Sequence, residues 1–290
     1  MVMTAPQPTT QRLPHSTPQI SPQSVPQASQ SEIGQLEPER DDAIAFEDVA
    51  VTYSTPGDDQ RPVLSGIDLT IPRGQFIALV GRSGCGKTTL LNLVAGLVEP
   101  SEGAVTVLGQ EPRAARRHLG FMLARDALMP WRDARRNVEY GLELRGIAKA
   151  ERRAIADHWL EAVQLTHAQH LWPWQLSQGM RQRVALARTW ALDPNVLLMD
   201  EPYASVDVNT RLALQTRFLD LWQSEEHRTV MFVTHDLSEA IALADRVVLL
   251  GGGRILDDVT VQIERPRDLG AINANPHYQQ VYERLRGQLF

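Results

Sequence analysis

One stretch of the chain has the residue types and spacing of a loop that binds phosphate groups. It reads Gly81-Arg82-Ser83-Gly84-Cys85-Gly86-Lys87-Thr88-Thr89, which fits the pattern G-x-x-x-x-G-K-[ST]. Its glycines let the backbone wrap closely around phosphate oxygens, because no Cβ stands in the way. The N–H groups of the loop and the N-terminus of the following helix then face the anion. The pattern predicts that Lys87 reaches the β- and γ-phosphates and that the Thr88 hydroxyl ligates Mg²⁺.

The segments on either side of this loop decide between a phosphate site and a Gly/Ser turn with a chance lysine. Residues 76–80 are a short apolar run, which predicts a buried parallel strand. Residues 90–96 have helical character and end at a glycine. Because the pattern lies between a strand and a helix, we favour the phosphate site.

A second apolar stretch, residues 196–199, ends in the two carboxylates Asp200 and Glu201. A buried strand would carry both to the carboxyl edge of a sheet, where α/β proteins bind their ligands. We expect Asp200 to hold Mg²⁺, directly or through water. Glu201 would orient and polarise the attacking water. The alternative is that the two carboxylates simply lie at a solvated strand end. Because the chain also contains the phosphate loop, we favour the functional interpretation.

Composition limits the class of protein. With 290 residues and 43% hydrophobic content, the chain can bury a substantial core in one large domain or two modest ones. No apolar run approaches the ~18–20 residues of a membrane-spanning helix, and the N-terminus lacks the pattern of a secretory signal. The single thiol, Cys85, cannot form an internal disulfide, which agrees with a reducing cytosol. A net charge of −6 argues against sequence-independent binding of nucleic acid.

Patterning divides the chain into a tail and an α/β region with a helical insert. Residues 1–42, rich in Pro, Gln, Ser and Thr, predict a disordered tail, with a hidden docking motif as the alternative. Residues 44–53 and 63–71 predict an antiparallel strand pair that leads into the loop strand. Further strands are predicted at residues 105–108, 119–123, 196–199, 230–233, 246–250 and 254–259, and helices at 131–144, 149–165, 178–192, 208–223 and 237–244. This alternation implies a mostly parallel sheet with right-handed crossovers.

A third segment, Leu176-Ser177-Gln178-Gly179, places a hydroxyl and a glycine at the start of a predicted helix. Alone it reads as an ordinary N-cap. Together with the phosphate loop and the carboxylates that follow, it makes residues 43–265 resemble the ATP-binding-cassette (ABC) ATPases. The resemblance implies an α/β P-loop NTPase (RecA-like) core of mostly parallel strands with an antiparallel β subdomain. It also implies an inserted α-helical subdomain at about residues 124–190 and a C-terminal helical extension at 266–290.

The resemblance assigns roles in nucleotide binding to further residues. Ser177, Gln178 and Gly179 match the signature loop, which covers the γ-phosphate of an ATP held by the opposite subunit of a head-to-tail dimer. Asp207 belongs to the D-loop, which crosses the dimer interface. Tyr53 stands where the family has an aromatic residue that stacks on adenine, although a tyrosine on a strand is equally often part of the packing.

The resemblance also completes the expected catalytic group. His235, in Thr234-His235-Asp236, matches the switch histidine that contacts the γ-phosphate, where the alternative is a structural histidine at a strand end. The expected cofactors are ATP and Mg²⁺, with Thr88 and Asp200 as metal ligands. Lys87, Glu201 and His235 are the residues we expect to carry the hydrolysis of ATP.

Finer features resemble one group of importers. Residues 127–132, Ala-Leu-Met-Pro-Trp-Arg, and residues 263–267 are similar to those of importer ATPases for nitrate, sulfonates and taurine. That implies a peripheral subunit at the cytoplasmic face of a prokaryotic cell membrane. Its partners would be permease subunits and a second copy of itself or a related ATPase, with an extracytoplasmic solute-binding protein as an indirect partner and no nucleic acid. Pro130-Trp131 would begin the subdomain on which the permease docks, or, alternatively, would start a helix with a core tryptophan.

Two departures from the family pattern keep other functions open. Ala124 stands at the position of the Q-loop glutamine, and alanine cannot ligate a metal. Water or Asp126 then substitutes, or hydrolysis and coupling are weakened. Gln178 replaces the first glycine of the signature, so its side chain must point away from the phosphate. The alternatives are a weakly hydrolysing regulatory subunit and a soluble ABC ATPase that acts on nucleic acid or ribosomes.

The phosphate-loop assignment predicts the effect of Lys87→Ala on nucleotide binding. The variant should lose about 10- to 100-fold in ATP affinity, because it removes a charge-assisted contact to the phosphates. Equilibrium binding of a fluorescent ATP analogue measures this, with Lys149→Ala as the control that keeps the parental affinity. Parental affinity in Lys87→Ala would contradict the assignment.

Overall fold

Two β-sheets with helices on their faces make up the part of the chain that the computed structural model describes, residues 42–53, 62–123, 126–204, 206–224 and 228–289. The described strands are β1 (Asp42–Val51), β2 (Leu64–Pro72), β3 (Phe76–Gly81), β4 (Glu102–Val107), β5 (Leu119–Met122), β6 (Val196–Asp200), β7 (Thr229–Thr234), β8 (Arg246–Gly251) and β9 (Arg254–Thr260). The described helices are α1 (Lys87–Val94), α2 (Pro112–Ala115), α3 (Ala134–Leu144), α4 (Lys149–Ala162), α5 (Gln178–Trp190), α6 (Val208–Ser224), α7 (Leu237–Leu243) and α8 (Pro276–Leu289).

The strands divide into a small antiparallel sheet and a larger, mostly parallel one. The small sheet has the order β2–β1–β4 and contains the strand pair expected before the loop strand. The large sheet has the order β5–β6–β7–β3–β8–β9, and each neighbouring pair is parallel except β8 and β9. The α/β fold class expected from the sequence is therefore confirmed.

The large sheet is buried on both faces. In β3, Phe76, Ala78 and Val80 pack into a core shared with α3 to α8. Ile77 and Leu79, which alternate with them, pack into a second core shared with α1 and the antiparallel sheet. Because both faces need apolar side chains, the strand reads as a continuous hydrophobic run instead of an alternating one.

Helices α3, α4 and α5 pack against one another as the helical insert. The Asp133 carboxylate accepts a hydrogen bond from Arg136 N at 2.8 Å and so starts α3 after the Pro130-Trp131 pair. Trp131 lies outside the helix and is 68% exposed, so the reading of it as a core tryptophan is wrong. Among the described helices, none is long and apolar enough to cross a membrane.

Some expectations concern residues outside the described part of the chain. They include the tail up to residue 41, the Q-loop position Ala124 and the D-loop residue Ser205. The domain boundaries at residues 42, 265 and 266 stay predictions, although α8 occupies most of the expected C-terminal extension.

An aromatic cluster joins the helical insert to the large sheet. Phe218 of α6 is fully buried and meets Trp190 of α5 edge-on, with 5.2 Å between the ring centroids. On its other side it meets Phe76 of β3 at 5.7 Å. Phe218 therefore contacts both α5 and the sheet. Its edge-to-face contacts stabilise the fold in addition to the burial of its apolar surface.

Removal of this shared ring should destabilise the fold. Phe218→Ala is expected to lower the free energy of unfolding by about 3–5 kcal/mol, because it leaves a cavity between two packed elements. Denaturant unfolding followed by circular dichroism measures the change. Leu144→Ala, at a side chain that is 71% exposed, is the control and should stay within about 0.5 kcal/mol of the parent.

Candidate functional site

Three adjacent strands of the large sheet end at one edge and bring the expected motifs together. β7 lies between β6 and β3 and is parallel to both. The phosphate loop, residues 81–89, begins at the end of β3, Glu201 follows β6, and His235 follows β7. The carboxyl ends of parallel strands share an edge, so these residues line one site, at the position where open α/β sheets bind ligands.

The phosphate loop closes around its own lysine. Lys87 is only 6% exposed, and its Nζ donates to Gly81 O at 2.7 Å and to Arg82 O at 3.2 Å. Gly86 has a φ of 105°, and a Cβ there would lie 2.4 Å from a Leu64 methyl carbon, so the position requires glycine. The loop thus holds a shielded cation at the N-terminus of α1, an arrangement suited to an anion.

The other residues of the loop divide by exposure. Arg82, Ser83, Gly84 and Thr88 are exposed, whereas Cys85 and Thr89 are buried. The Cys85 thiol lies 3.9 Å from the lysine ammonium. The exposed members can contact a nucleotide directly, and the buried ones shape the loop.

Thr88 and Asp200 form the pair expected to hold a metal ion. The Thr88 hydroxyl donates to Asp200, with 3.3 Å from its oxygen to either carboxylate oxygen. Burial raises the pKa of the Asp200 carboxyl, and Glu201 adds to this, while the bond from Thr88 and the charge of Lys87 act in the opposite direction. In the described residues there is no group of three or more His, Cys, Asp or Glu side chains able to hold a metal. Two oxygen donors beside a phosphate loop fit Mg²⁺, which keeps several waters and uses substrate phosphates as ligands.

Glu201 and His235 contact each other at the same edge. The His235 Nδ1 lies 3.2 Å from Glu201 Oε2, and both side chains are accessible. The backbone of Glu201 has a φ of 44°, in the left-handed region that non-glycine residues rarely adopt, and its N–H donates to Val233 O at 2.9 Å. This backbone bond to β7 holds the carboxylate next to the end of that strand.

The signature residues start α5. The Ser177 hydroxyl accepts from Met180 N at 3.3 Å, as an N-cap does, and both Ser177 and Gln178 are exposed. A Cβ at Gly179 would lie 2.7 Å from a Thr210 methyl carbon of α6, so a larger residue there would force that side chain to shift and close packing favours glycine. Among the residues that line the cleft beside the phosphate loop, none belongs to this segment.

Three further expected residues have distinct surroundings. Tyr53, beyond the end of β1, is 48% exposed, so its ring is accessible instead of packed. An Asp207 carboxylate oxygen accepts from Thr210 N at 3.1 Å at the start of α6. Asp126, the candidate substitute for the Q-loop glutamine, accepts from Arg181 Nε at 2.9 Å and is engaged in that ion pair.

Two sets of residues beside the site were not predicted from the sequence, because they belong to no recognisable motif. Tyr282, Arg286 and Leu289 of α8 line a cleft of about 480 Å³ together with the start of the phosphate loop and the segment after β7. Gln182, buried in α5, donates to Pro202 O at 2.6 Å and ties the signature helix to the segment after Glu201. The amphipathic spacing of α8 was readable in the sequence, but its direction toward the loop was not.

Comparison with known proteins places these features in a family. Residues 64–204 match the model of the family described as ABC transporter. The chain is 39% identical to the taurine import ATP-binding protein of Escherichia coli O157:H7, over 79% of this chain and 92% of that one. It is 38% identical to the nitrate import ATP-binding protein of Synechococcus elongatus, over 81% and 87%. A dimeric post-hydrolysis structure of an ATP-binding cassette bound to ADP and Pi covers 76% of this chain and all of its own, with a TM-score of 0.69 and 29% identity.

Proposed function

Because the chain belongs to the family of ABC transporter ATP-binding proteins and is an ABC-type ATP hydrolase, we propose that it energises a prokaryotic importer for a small anion or organic solute. It binds MgATP, dimerises, closes on a permease, hydrolyses ATP and reopens. One observation carries the proposal: the phosphate loop, the Asp200–Glu201 pair and His235 share one edge of the sheet. The import relatives supply the direction of transport.

The residues at the edge divide the chemistry between them. Lys87 turns from the loop carbonyls to the β- and γ-phosphates, while the loop N–H groups and the N-terminus of α1 hold the remaining oxygens. Thr88 and Asp200 are the ligands for Mg²⁺, which when bound neutralises charge on the phosphates. Glu201 orients the attacking water and accepts a hydrogen bond from it. His235 contacts the Glu201 carboxylate, positions that carboxylate and faces the γ-phosphate.

The second half of each site comes from a second copy of the chain or a related ATPase. Ser177, Gln178 and Gly179 do not line the cleft of their own chain, as far as the described residues go, so they are free to cover the γ-phosphate of a partner. Val208 and Leu212, which follow Asp207 on α6, are 76% and 42% exposed and supply apolar surface beside the D-loop. The similar cassette structure is itself dimeric.

In this proposal the permease docks on the segment before α3, with the protein at the cytoplasmic face of the membrane. Trp131 is 68% exposed and Leu123 is 42% exposed, on either side of the Q-loop region. Their accessibility leaves both side chains free to contact a partner at the segment that the resemblance to importer ATPases assigns to the permease. The solute itself is selected elsewhere, by the permease and an extracytoplasmic binding protein, because relatives for taurine and for nitrate are almost equally similar to this chain.

A second candidate, a nucleotide-binding regulatory subunit with little hydrolysis, has one observation in its favour. Asp126, which would replace the missing Q-loop glutamine, is paired with Arg181 and must leave that ion pair to reach a metal. The rate of ATP hydrolysis by the purified protein separates the two candidates.

Glu201→Gln tests the assignment of hydrolysis. The variant should bind ATP with parental affinity and hydrolyse it about 10²- to 10⁴-fold more slowly, because the amide cannot accept the proton of the attacking water. It should also accumulate as an ATP-bound dimer in size-exclusion chromatography. Glu161→Gln, at an exposed carboxylate of α4, is the control with the parental rate. Hydrolysis by Glu201→Gln at the parental rate would show that another residue positions the water.

Trp131→Ser tests the docking site on the permease. In cells that contain the intact transporter, the variant should leave the membrane fraction while its ATP affinity in solution is unchanged, because it loses an aromatic anchor that the permease would cover. Leu144→Ser is the matched control, an exposed apolar side chain at the other end of α3, about 15 Å along the helix. Membrane association of Trp131→Ser equal to that of the control would place the docking site elsewhere.

A further inference from the structure

A small cavity lies beside the Glu201–His235 pair, and buried polar groups that border it have no partner. Its volume is about 20 Å³, and its walls come from the segment after β6, from α6 and from the junction of β7 with α7. The Tyr203 side chain is 3% exposed, and its hydroxyl makes no hydrogen bond within the described residues. The same holds for Nε of Arg211. Buried polar atoms without a partner are rare, and each needs an explanation.

Glu239 of α7 also faces this cavity and joins three elements. It is 8% exposed, and its Oε2 accepts from the Thr234 hydroxyl at 2.5 Å, at the end of β7. Its Oε1 accepts from Gln215 Nε2 of α6 at 2.7 Å. Glu239 therefore fixes the strand that carries His235 to the helix that begins at the D-loop.

The groups around Glu239 affect the pKa of its carboxyl in both directions, and they leave part of its hydrogen-bonding capacity unused. Burial raises the pKa of the Glu239 carboxyl, and the bonds from Thr234 and Gln215 counteract this. Asp236, the N-cap residue of α7, raises that pKa further and Arg211 of α6 lowers it, while Tyr203, Glu201 and His235 are the other ionisable groups on the cavity wall. A carboxylate has about four lone-pair sites, so two acceptor sites remain after the two observed bonds.

A single water molecule fits both the space and the unmet hydrogen bonds. A cavity of about 10–15 Å³ or more holds a water when two to four polar groups surround it. Such a water accepts from the Tyr203 hydroxyl and donates to the Glu239 carboxylate. Glu201 and His235 also belong to the wall of this cavity.

We propose that Glu239 is a positioning residue for ATP hydrolysis and that the cavity binds a water molecule that links it to Tyr203 and to the Glu201–His235 pair. The proposal rests on the proposed function, since it acts through the residues assigned there. The network joins the segment from Glu201 to Ala204 to the end of β7. The network thereby holds His235 and the Glu201 carboxylate, which orients the attacking water, in fixed positions.

The rival account is a dry cavity in which the Tyr203 hydroxyl is a tolerated unpaired group. The two accounts predict opposite results for Tyr203→Phe, which removes only that hydroxyl. In a dry cavity the variant is at least as stable as the parent, because an unsatisfied polar group has gone. In a hydrated cavity it removes a partner of the water and disturbs the site.

The test compares Tyr203→Phe, Glu239→Gln and the double variant of the full chain, by kcat and KM for MgATP and by melting temperature. We expect each single variant to lower kcat about 3- to 10-fold with KM within about twofold, because orientation and not substrate binding is affected. The double variant should match the slower single variant, because both act through one network. Thr189→Val is the matched control, since it removes a buried hydroxyl that bonds Ala185 O at 2.9 Å away from the cavity, and it should keep the parental kcat.

Two results would overturn the proposal. The first is a parental kcat for Tyr203→Phe together with a raised melting temperature, which is the result expected of a dry cavity. The second is a double variant whose loss of kcat is the product of the two single losses. The Glu201→Gln variant run beside them separates this failure from failure of the proposed function: if it is inactive while Tyr203→Phe is fully active, only the positioning network is wrong.

Discussion

The parallel pairing of β6, β7 and β3 is the constraint on which the rest of the structure depends. Five aligned residues join each pair, so the three strands end level with one another. The candidate site residues lie at the carboxyl ends of these strands, where the chain must turn and backbone N–H groups are free to face an anion. Burial of both sheet faces makes this register rigid, because a slip by one residue would exchange the apolar sets of the two cores.

Most of this frame was readable in the sequence. The continuous apolar runs at residues 76–80 and 196–199 predicted strands that the structure has as β3 and β6, and the predicted helices differ from the observed ones mainly at their ends. Helix α3 starts at Ala134 instead of residue 131, because Asp133 is the capping residue and Pro130 lies ahead of it. Short α2 escaped prediction because four residues carry no periodic signal.

The site was predictable only where a motif stood in the sequence. Lys87, Asp200 and His235 were predicted as site residues because their residue types and strand context are specific, and the structure brings them to one edge of the sheet while their roles stay predictions. Glu239 and Tyr203 were not, since an isolated glutamate on a helix and a tyrosine after a strand have no distinctive spacing. Their surroundings arise from the packing of α6 and α7 against the end of β7, which is a property of the tertiary structure alone.

Helix α8 helps to shape the cleft beside the phosphate loop. Asp257 of β9 accepts hydrogen bonds from Arg284 and Gln288, and α8 also packs against α7, so the helix is held against two elements. Its last described residue, Leu289, lies in the wall of the cleft beside the phosphate loop. The cleft beside the phosphate loop is therefore bounded on one side by a helix that lies outside the sheet, and substitutions at the end of α8 would change the shape of that cleft.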